Sequence, residues 1–337
     1  MPNSTLPIID ISLSTGDHDA KKKKIASDID NAACQYGFFY LTGYQIPEQL
    51  IADCFKAAEA FFDLTTAEKD KIAIENSPCH RGWYALGGEV LDPIHQQEGD
   101  IKEGLKIGND LPLTHPLVTK GIPLHGPNQW PETDFKTLPA MDSYLWKKTM
   151  LTTYEHFCET GLEVMQYFAM ALNLKTDYFD YWLTRPQSET MSTLSPIRYP
   201  PLDQAETVLS AGAHTDFGCL TLLAQDDNEG LEIAMPDGTW LSVPPIENTL
   251  IVNIGDMLAF WSGGKYRSTL HKVSNRSGRT RNSLAFFFDP AYNTPLTNLT
   301  NSLTEQNETG SEVKTALDHL LQKIGDSFSL PTKIGTS

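Results

Sequence analysis

The stretch Ala211–Gly230, AGAHTDFGCLTLLAQDDNEG, sets His214 and Asp216 two residues apart on what reads as a β-strand. Along a strand side chains alternate faces, so residues i and i+2 point the same way. An imidazole and a carboxylate then converge on one point, which is half of a metal site. A lone His-x-Asp arises often by chance, and either residue can simply cap or hydrogen-bond a turn, so its weight depends on the rest of the chain.

Around this stretch the texture is that of a β protein. After Pro186 come short apolar runs parted by turn residues: Leu194–Tyr199, Leu220–Ala224, Leu231–Met235, Thr239–Val243, Leu250–Asn253, Met257–Trp261, Ser268–Val273 and Ser283–Phe288. Pro236-Asp237-Gly238 is a hairpin signal. Such spacing predicts a barrel or sandwich. The N-terminal part differs. Leu6–Ile11 reads as an edge strand and Phe38–Leu41 as another, while Lys21–Tyr36, the segment after Pro47, and 134–174 carry helical periodicity. In the last of these, Tyr144, Leu151, Tyr154, Cys158, Leu162, Met165, Ala169 and Leu172 mark the expected buried seam. Residues 77–109 show no clear period but hold many functional residue types, as binding loops do. A polar tail over 294–311 precedes a short helix over 313–324. The expectation is one α+β domain over 1–337 with a mainly β core: a helix-rich part over 1–185, a β core with the metal site over 186–292, and a C-terminal tail and helix over 293–337.

Composition narrows the partners. Lys plus Arg number 26 against 43 for Asp plus Glu, a formal net charge of −17, and the one basic run, Lys21–Lys24, fits a solvated helix start. Nucleic acid and anionic membranes are therefore not expected as partners. No apolar run approaches the length of a membrane span, and the N-terminus lacks the charged and apolar regions of a signal peptide. The five cysteines form no C-x-x-C pair; reduced thiols and a cytoplasmic protein are expected.

The chemistry comes from combining three separated segments. His271 lies in STLHKV, 55 residues beyond Asp216. Two imidazoles and one carboxylate on neighbouring strands can occupy one face of a metal, leaving positions open for other ligands. Zinc accepts the same side chains, but zinc hydrolase motifs such as H-E-x-x-H place ligands and a carboxylate base on one helical face, so Fe(II) is the better match. Ten residues on, Arg281 and Ser283 share a strand face, where a guanidinium can grip a carboxylate through two parallel hydrogen bonds and the hydroxyl can add a third.

The combination of His214-Thr215-Asp216, His271 and Arg281-x-Ser283 resembles the isopenicillin N synthase-like family of Fe(II)/2-oxoglutarate-dependent dioxygenases. The likeness extends to LPIIDIS, GFFYLTGYQIP, HRGWYALGGE, DIKEGLKIG, NIGDMLAFWSGGKYRSTLHKV and RNSLAFFFDP, and so to nearly the whole chain. It implies a distorted double-stranded β-helix, or jelly roll, with N-terminal helices packed outside. It also implies that His214, Asp216 and His271 hold iron, that Arg281 and Ser283 bind the far carboxylate of 2-oxoglutarate, and that Tyr199 supports that carboxylate. With dioxygen as the third component, 2-oxoglutarate would go to succinate and CO2 while a small-molecule substrate is oxidised. Ile197 in IRYP stands where plant members carry Asn, which removes one possible hydrogen bond to the co-substrate and is closer to isopenicillin N synthase.

Substrate contacts are expected from Arg81, Tyr84 and Glu89 in the irregular segment and from Phe287, whose parity with Arg281 and Ser283 points it inward. Asp100, Lys102 and Glu103 read as structural ion-pairing residues. Two other readings stay open at this point: an oxidase of the same fold in which Arg281 and Ser283 bind the substrate's own carboxylate, and a non-catalytic metal-binding barrel.

Overall fold

A computed structural model describes residues 5–12, 18–96, 99–138, 140–184, 187–202, 209–299 and 314–328. Its larger sheet holds, in spatial order, β1 (Ile8–Asp10), β2 (Phe38–Thr42), β10 (Leu250–Ile254), β7 (Leu220–Gln225), β12 (Arg281–Phe288), β5 (Thr193–Tyr199), β4 (Glu103–Lys106) and β3 (Gly82–Tyr84). A smaller sheet runs β6 (Ala211–His214), β11 (His271–Val273), β8 (Leu231–Ala234) and β9 (Trp240–Ser242). Apart from β1 with β2, the strand pairs are antiparallel. This is a distorted double-stranded β-helix with helices packed on its back.

Period-two alternation separates the two cores. On β12, Leu284, Phe286 and Phe288 face the helices and share a cluster with Trp146, Met150, Phe157 and Phe168. The alternate residues Ala285 and Phe287 turn to the barrel interior, where they join Phe38, Tyr40, Ile197, Tyr199, Ile233 and Val273. Strand β2 sorts likewise, with Phe39 and Leu41 outward to the helices and Phe38 and Tyr40 inward. Each fully buried residue of this size contributes roughly 1.5–3 kcal/mol, so the register of β12 is strongly specified, and a one-residue slip would put both sets on the wrong side.

Helix α1 (His18–Gln35) ends at Gly37, whose φ of 67° needs no Cβ and whose Cα lies so close to the Arg267 carbonyl that a Cβ would sit 2.2 Å from it. Helix α2 (Glu48–Phe62) follows β2. The long helix Ser143–Ala171 starts where the Asp142 side chain accepts from Leu145 N–H at 2.8 Å. Its buried seam is Trp146, Met150, Tyr154, Phe157, Gly161, Val164, Met165 and Phe168. Tyr144, expected inside, is 74% exposed. The large rings of Trp146, Phe157 and Phe168 choose the face, and Trp146 is fixed by donating its indole N–H to Ala57 O at 2.8 Å.

Three further expectations are corrected. Met257–Trp261 is not a strand but part of a helix, Asp256–Trp261, that follows β10 directly and leaves Phe260 half exposed. Residues 77–109 are not wholly irregular, because β3 and β4 pair through Gly82 with Lys106, Trp83 with Leu105 and Tyr84 with Gly104, and extend the larger sheet. The C-terminal helix spans Ala316–Ser327 with a capping box at Thr315, and most of the polar tail before it lies outside the described residues. Among the described residues no helix is long and apolar enough to cross a membrane.

Candidate active site

His214 closes β6 and pairs across the ladder with His271, the first residue of β11, so that the rings lie 4.2 Å apart. Asp216 lies beyond the end of β6, so strand parity is not what brings it to the histidines. The turn does so: Asp256 N–H donates to Asp216 O at 2.8 Å, and Asn253 on β10 and Thr221 on β7 donate to its Oδ2, the former at 2.7 Å. Its Oδ1 is left 3.7 Å from both His214 Nε2 and His271 Nε2. One donor atom from each residue lies within 4.8 Å of the others.

The remaining ring nitrogens settle which atoms face inward. His214 Nδ1 donates to Gly212 O at 2.7 Å and His271 Nδ1 to Thr269 O at 3.1 Å, which leaves both Nε2 lone pairs toward Asp216. Burial, and then the neighbouring His271, push His214 down to about 3, so the ring is neutral and its lone pair available. Burial works against ionisation of Asp216, but the two imidazoles and the Asn253 and Thr221 hydrogen bonds outweigh it and hold the carboxyl below its usual range. Two imidazoles with their Nε2 atoms turned inward and a carboxylate with one oxygen held from behind fit a divalent iron ion.

Arg281 is 1% exposed. It lies over the Tyr199 ring at 4.9 Å and donates from Nη2 to Gln225 Oε1 at 2.7 Å. Among the described residues its Nε and Nη1 have no hydrogen-bond partner, nor does the buried Ser283 Oγ on the same strand face. Among the described residues no carboxylate pairs with this guanidinium. Leaving a buried charge in this state costs several kcal/mol, and an acceptor for both donors and the hydroxyl would offset that. The carboxylate of a 2-oxo acid fits these three groups, with Tyr199 as the surface beneath the guanidinium.

Beside the metal face lies a cavity of about 110 Å³. Arg81, Tyr84, Glu89 and Phe287, the expected substrate residues, all line it. Glu89 is not free to read a substrate, because Lys102 Nζ holds its Oε2 at 2.9 Å and also holds Asp100 Oδ2 at 2.7 Å. Burial disfavours the Glu89 charge, yet Lys102 and Lys106 bring its carboxyl down to about 2. Lys102 and Asp100 are thus structural, as expected, and Glu103 pairs with Lys69 at 2.7 Å. Arg81 donates to the carbonyls of Cys79, His80 and Leu124 and pairs with no carboxylate among the described residues.

Several lining residues were not foreseen. His80 is pushed down to about 3 by burial and then Lys106, and Asp289 is pushed up to about 7 by burial and then Asp216. Lys106 stands on β4, and Leu320, Ile324 and Phe328 come from the C-terminal helix and the residue after it. The signals were present: an acid at the end of the apolar run LAFFFDP, and Leu317, Leu320, Leu321 and Ile324 at helical spacing. The Phe328 ring stands edge-on to His80 at 4.7 Å and to Tyr84 at 5.9 Å, so the C-terminal helix forms one wall.

Known proteins agree with this geometry. Residues 6–133 match the family described as non-haem dioxygenase in morphine synthesis, N-terminal, and residues 188–290 match the 2OG-Fe(II) oxygenase superfamily. A "probable iron/ascorbate oxidoreductase" of Dictyostelium discoideum is 36% identical over 96% of this chain and 94% of its own. The 2-oxoglutarate-Fe(II) type oxidoreductase hxnY of Emericella nidulans is 35% identical over 84% of this chain and 78% of its own. The crystal structure of a full-length Neurospora crassa protein in complex with alpha-KG and thymine superposes with a TM-score of 0.79 at 26% identity, covering 97% of this chain and 98% of that one. With a metal face of two histidines and an aspartate, a buried arginine that has no carboxylate partner among the described residues, and relatives of this kind along its length, the chain belongs to the 2OG-Fe(II) oxygenase superfamily and is a 2-oxoglutarate-dependent dioxygenase that uses Fe(II).

Proposed function

We propose that this enzyme hydroxylates a small molecule, R–H + 2-oxoglutarate + O2 → R–OH + succinate + CO2. The balance closes, since 2-oxoglutarate and the substrate each give two electrons and dioxygen takes four. In this reading His214 Nε2, Asp216 Oδ1 and His271 Nε2 hold the iron, and Arg281, Ser283 and Tyr199 seat the far carboxylate of 2-oxoglutarate. Bound iron supplies the activation of dioxygen. The chain's own residues position the reactants and shield them from water: the hydrogen bonds to Gly212, Thr269, Asn253 and Thr221 fix the ligand atoms in direction, and the C-terminal helix forms one wall of the cavity.

The observation that carries the co-substrate assignment is the pair of orphaned guanidinium nitrogens on Arg281 together with the orphaned Ser283 hydroxyl. The Neurospora crassa protein, with alpha-KG and thymine in one structure, supports a small-molecule substrate. The reading extends to one oxygenase domain over 1–337, a cytoplasmic location supported by five cysteines in thiol form, and no nucleic-acid partner, supported by the net charge of −17. Succinate formed only when Fe(II), dioxygen and 2-oxoglutarate are all supplied is the expected result. Substrate consumed with no need for 2-oxoglutarate would instead favour the oxidase reading, in which Arg281 holds the substrate's own carboxylate.

A further inference from the structure

We propose that the cavity accepts a small single-ring acid and that Lys106 receives its carboxylate. The inference deepens the proposed function, since it takes this cavity to be the substrate chamber. Lys106 stands at the end of β4 with its side chain 12% exposed, inside the cavity lining. Its ammonium makes no hydrogen bond among the described residues. Among the described residues the one carboxylate within ion-pair range, Glu89 Oε1, is 3.9 Å away, beyond hydrogen-bond length, and the other oxygen of that group is held by Lys102 at 2.9 Å. Among the described residues the buried lysines are not left in this condition: Lys69 and Lys102 each have a carboxylate oxygen at 2.7 Å.

What holds the Lys106 ammonium in place is aromatic. It lies 5.0 Å from the centre of the Phe287 ring and 5.6 Å from that of Tyr84, near enough for the ring faces to attract it without supplying an acceptor. Burial lowers its pKa, as expected of an ammonium without a close partner. A sheltered cation with unused donors facing a cavity is a receptor for an anion. Arg81, the other cation in the lining without a carboxylate, has its Nη donors directed to three backbone carbonyls and only Nε unused among the described residues, whereas the whole Lys106 ammonium is unused.

Size and shape limit the anion. An engineered cavity of about 150 Å³ takes a benzene ring, and this one, smaller at about 110 Å³, limits the ligand to no more than a single ring. Its walls include the rings of Tyr84, Phe217, Phe287 and Phe328, which favour a flat partner. Lys106 and the metal ligand Asp216 line the same cavity, whereas Arg281 and Ser283 do not. The substrate carboxylate therefore has a site separate from that of the 2-oxo acid, and a carbon on the ring is presented to the metal face.

Benzoate and benzamide share shape and differ in charge. Both are titrated calorimetrically, without oxygen, into the Fe(II)-loaded enzyme saturated with 2-oxoglutarate, so that the Arg281 site is filled. The wild type should bind benzoate at least tenfold more tightly than benzamide. Lys106→Met should bring the two within threefold of each other, Lys106→Arg should keep the preference, and both variants should bind 2-oxoglutarate as the wild type does. Equal binding of the two probes by the wild type, binding of neither, or a benzoate preference that survives in Lys106→Met would overturn the proposal. The wild-type comparison decides it even if a variant does not fold. Succinate formation in the same preparation reports separately on the proposed function, so failure of one is not mistaken for failure of the other.

Discussion

Replacing Arg281 by methionine keeps an unbranched apolar stem and removes the guanidinium. The two donors lost to a bound carboxylate are Nε and Nη1, the nitrogens with no partner among the described residues. A hydrogen bond to a charged group is worth about 1.5–3 kcal/mol, so two amount to about 3–6 kcal/mol. At about 1.4 kcal/mol per factor of ten, the Kd for 2-oxoglutarate should rise roughly 10²- to 10⁴-fold. The unliganded protein should respond differently. It loses the 2.7 Å hydrogen bond to Gln225 and the contact with the Tyr199 ring, but it also no longer buries an unpaired cation. These effects oppose each other, and the unliganded variant should melt within about 5 °C of the parent. Calorimetric titration of the anaerobic Fe(II)-loaded enzyme with 2-oxoglutarate measures the first quantity and thermal unfolding the second. A Kd changed less than tenfold, or a melting temperature that collapses without ligand, would show that Arg281 is a structural cation and not the carboxylate seat.

Other consequences follow from single contacts. Asp216→Ala removes the oxygen shared by both histidines and leaves Asn253 and Thr221 without their acceptor, so iron content after dialysis should fall by at least tenfold and turnover with it, as metal analysis and succinate assays will show. Gly218→Ala would place a Cβ 1.7 Å from Asp289 Oδ1; calorimetry should find the variant about 1–3 kcal/mol less stable. Asp289 has a folded pKa near 7 against an ordinary 3.8, so the neutral form is the one the fold favours. The stability this group contributes is complete below pH 4 and is lost as pH rises toward 7. The melting temperature of Asp289→Asn, measured relative to wild type in the metal-free protein, should therefore climb between pH 5 and pH 8; a flat difference would contradict the assignment.

The parts legible in the sequence are those fixed by local pattern. Alternation in RNSLAFFF sorted Arg281, Ser283 and Phe287 from Leu284, Phe286 and Phe288, and the two-residue step from His214 to Asp216 marked the metal face. The reason given for that step was only half right, since Asp216 is held by a turn and by donors on β7 and β10. Short apolar runs misled for a physical reason: Met257–Trp261 is too brief for its period to separate helix from strand. Tyr144 was assigned inside because spacing alone does not locate the face, which the bulk of Trp146 and Phe157 decides. Least legible was everything made by contact between distant segments. Nothing near Phe328 announces His80, and nothing near Lys106 shows that Lys102 has already claimed Glu89.

The central claim is that iron at His214, Asp216 and His271 couples dioxygen to the oxidation of 2-oxoglutarate. It is tested most directly by supplying the purified enzyme with Fe(II), 2-oxoglutarate and 18O-labelled dioxygen and reading succinate by mass spectrometry. The account predicts succinate carrying one labelled oxygen atom, formed by the wild type and not by Asp216→Ala. Iron-loaded wild-type enzyme that forms no succinate, or an Asp216→Ala variant that forms it equally well, would contradict it.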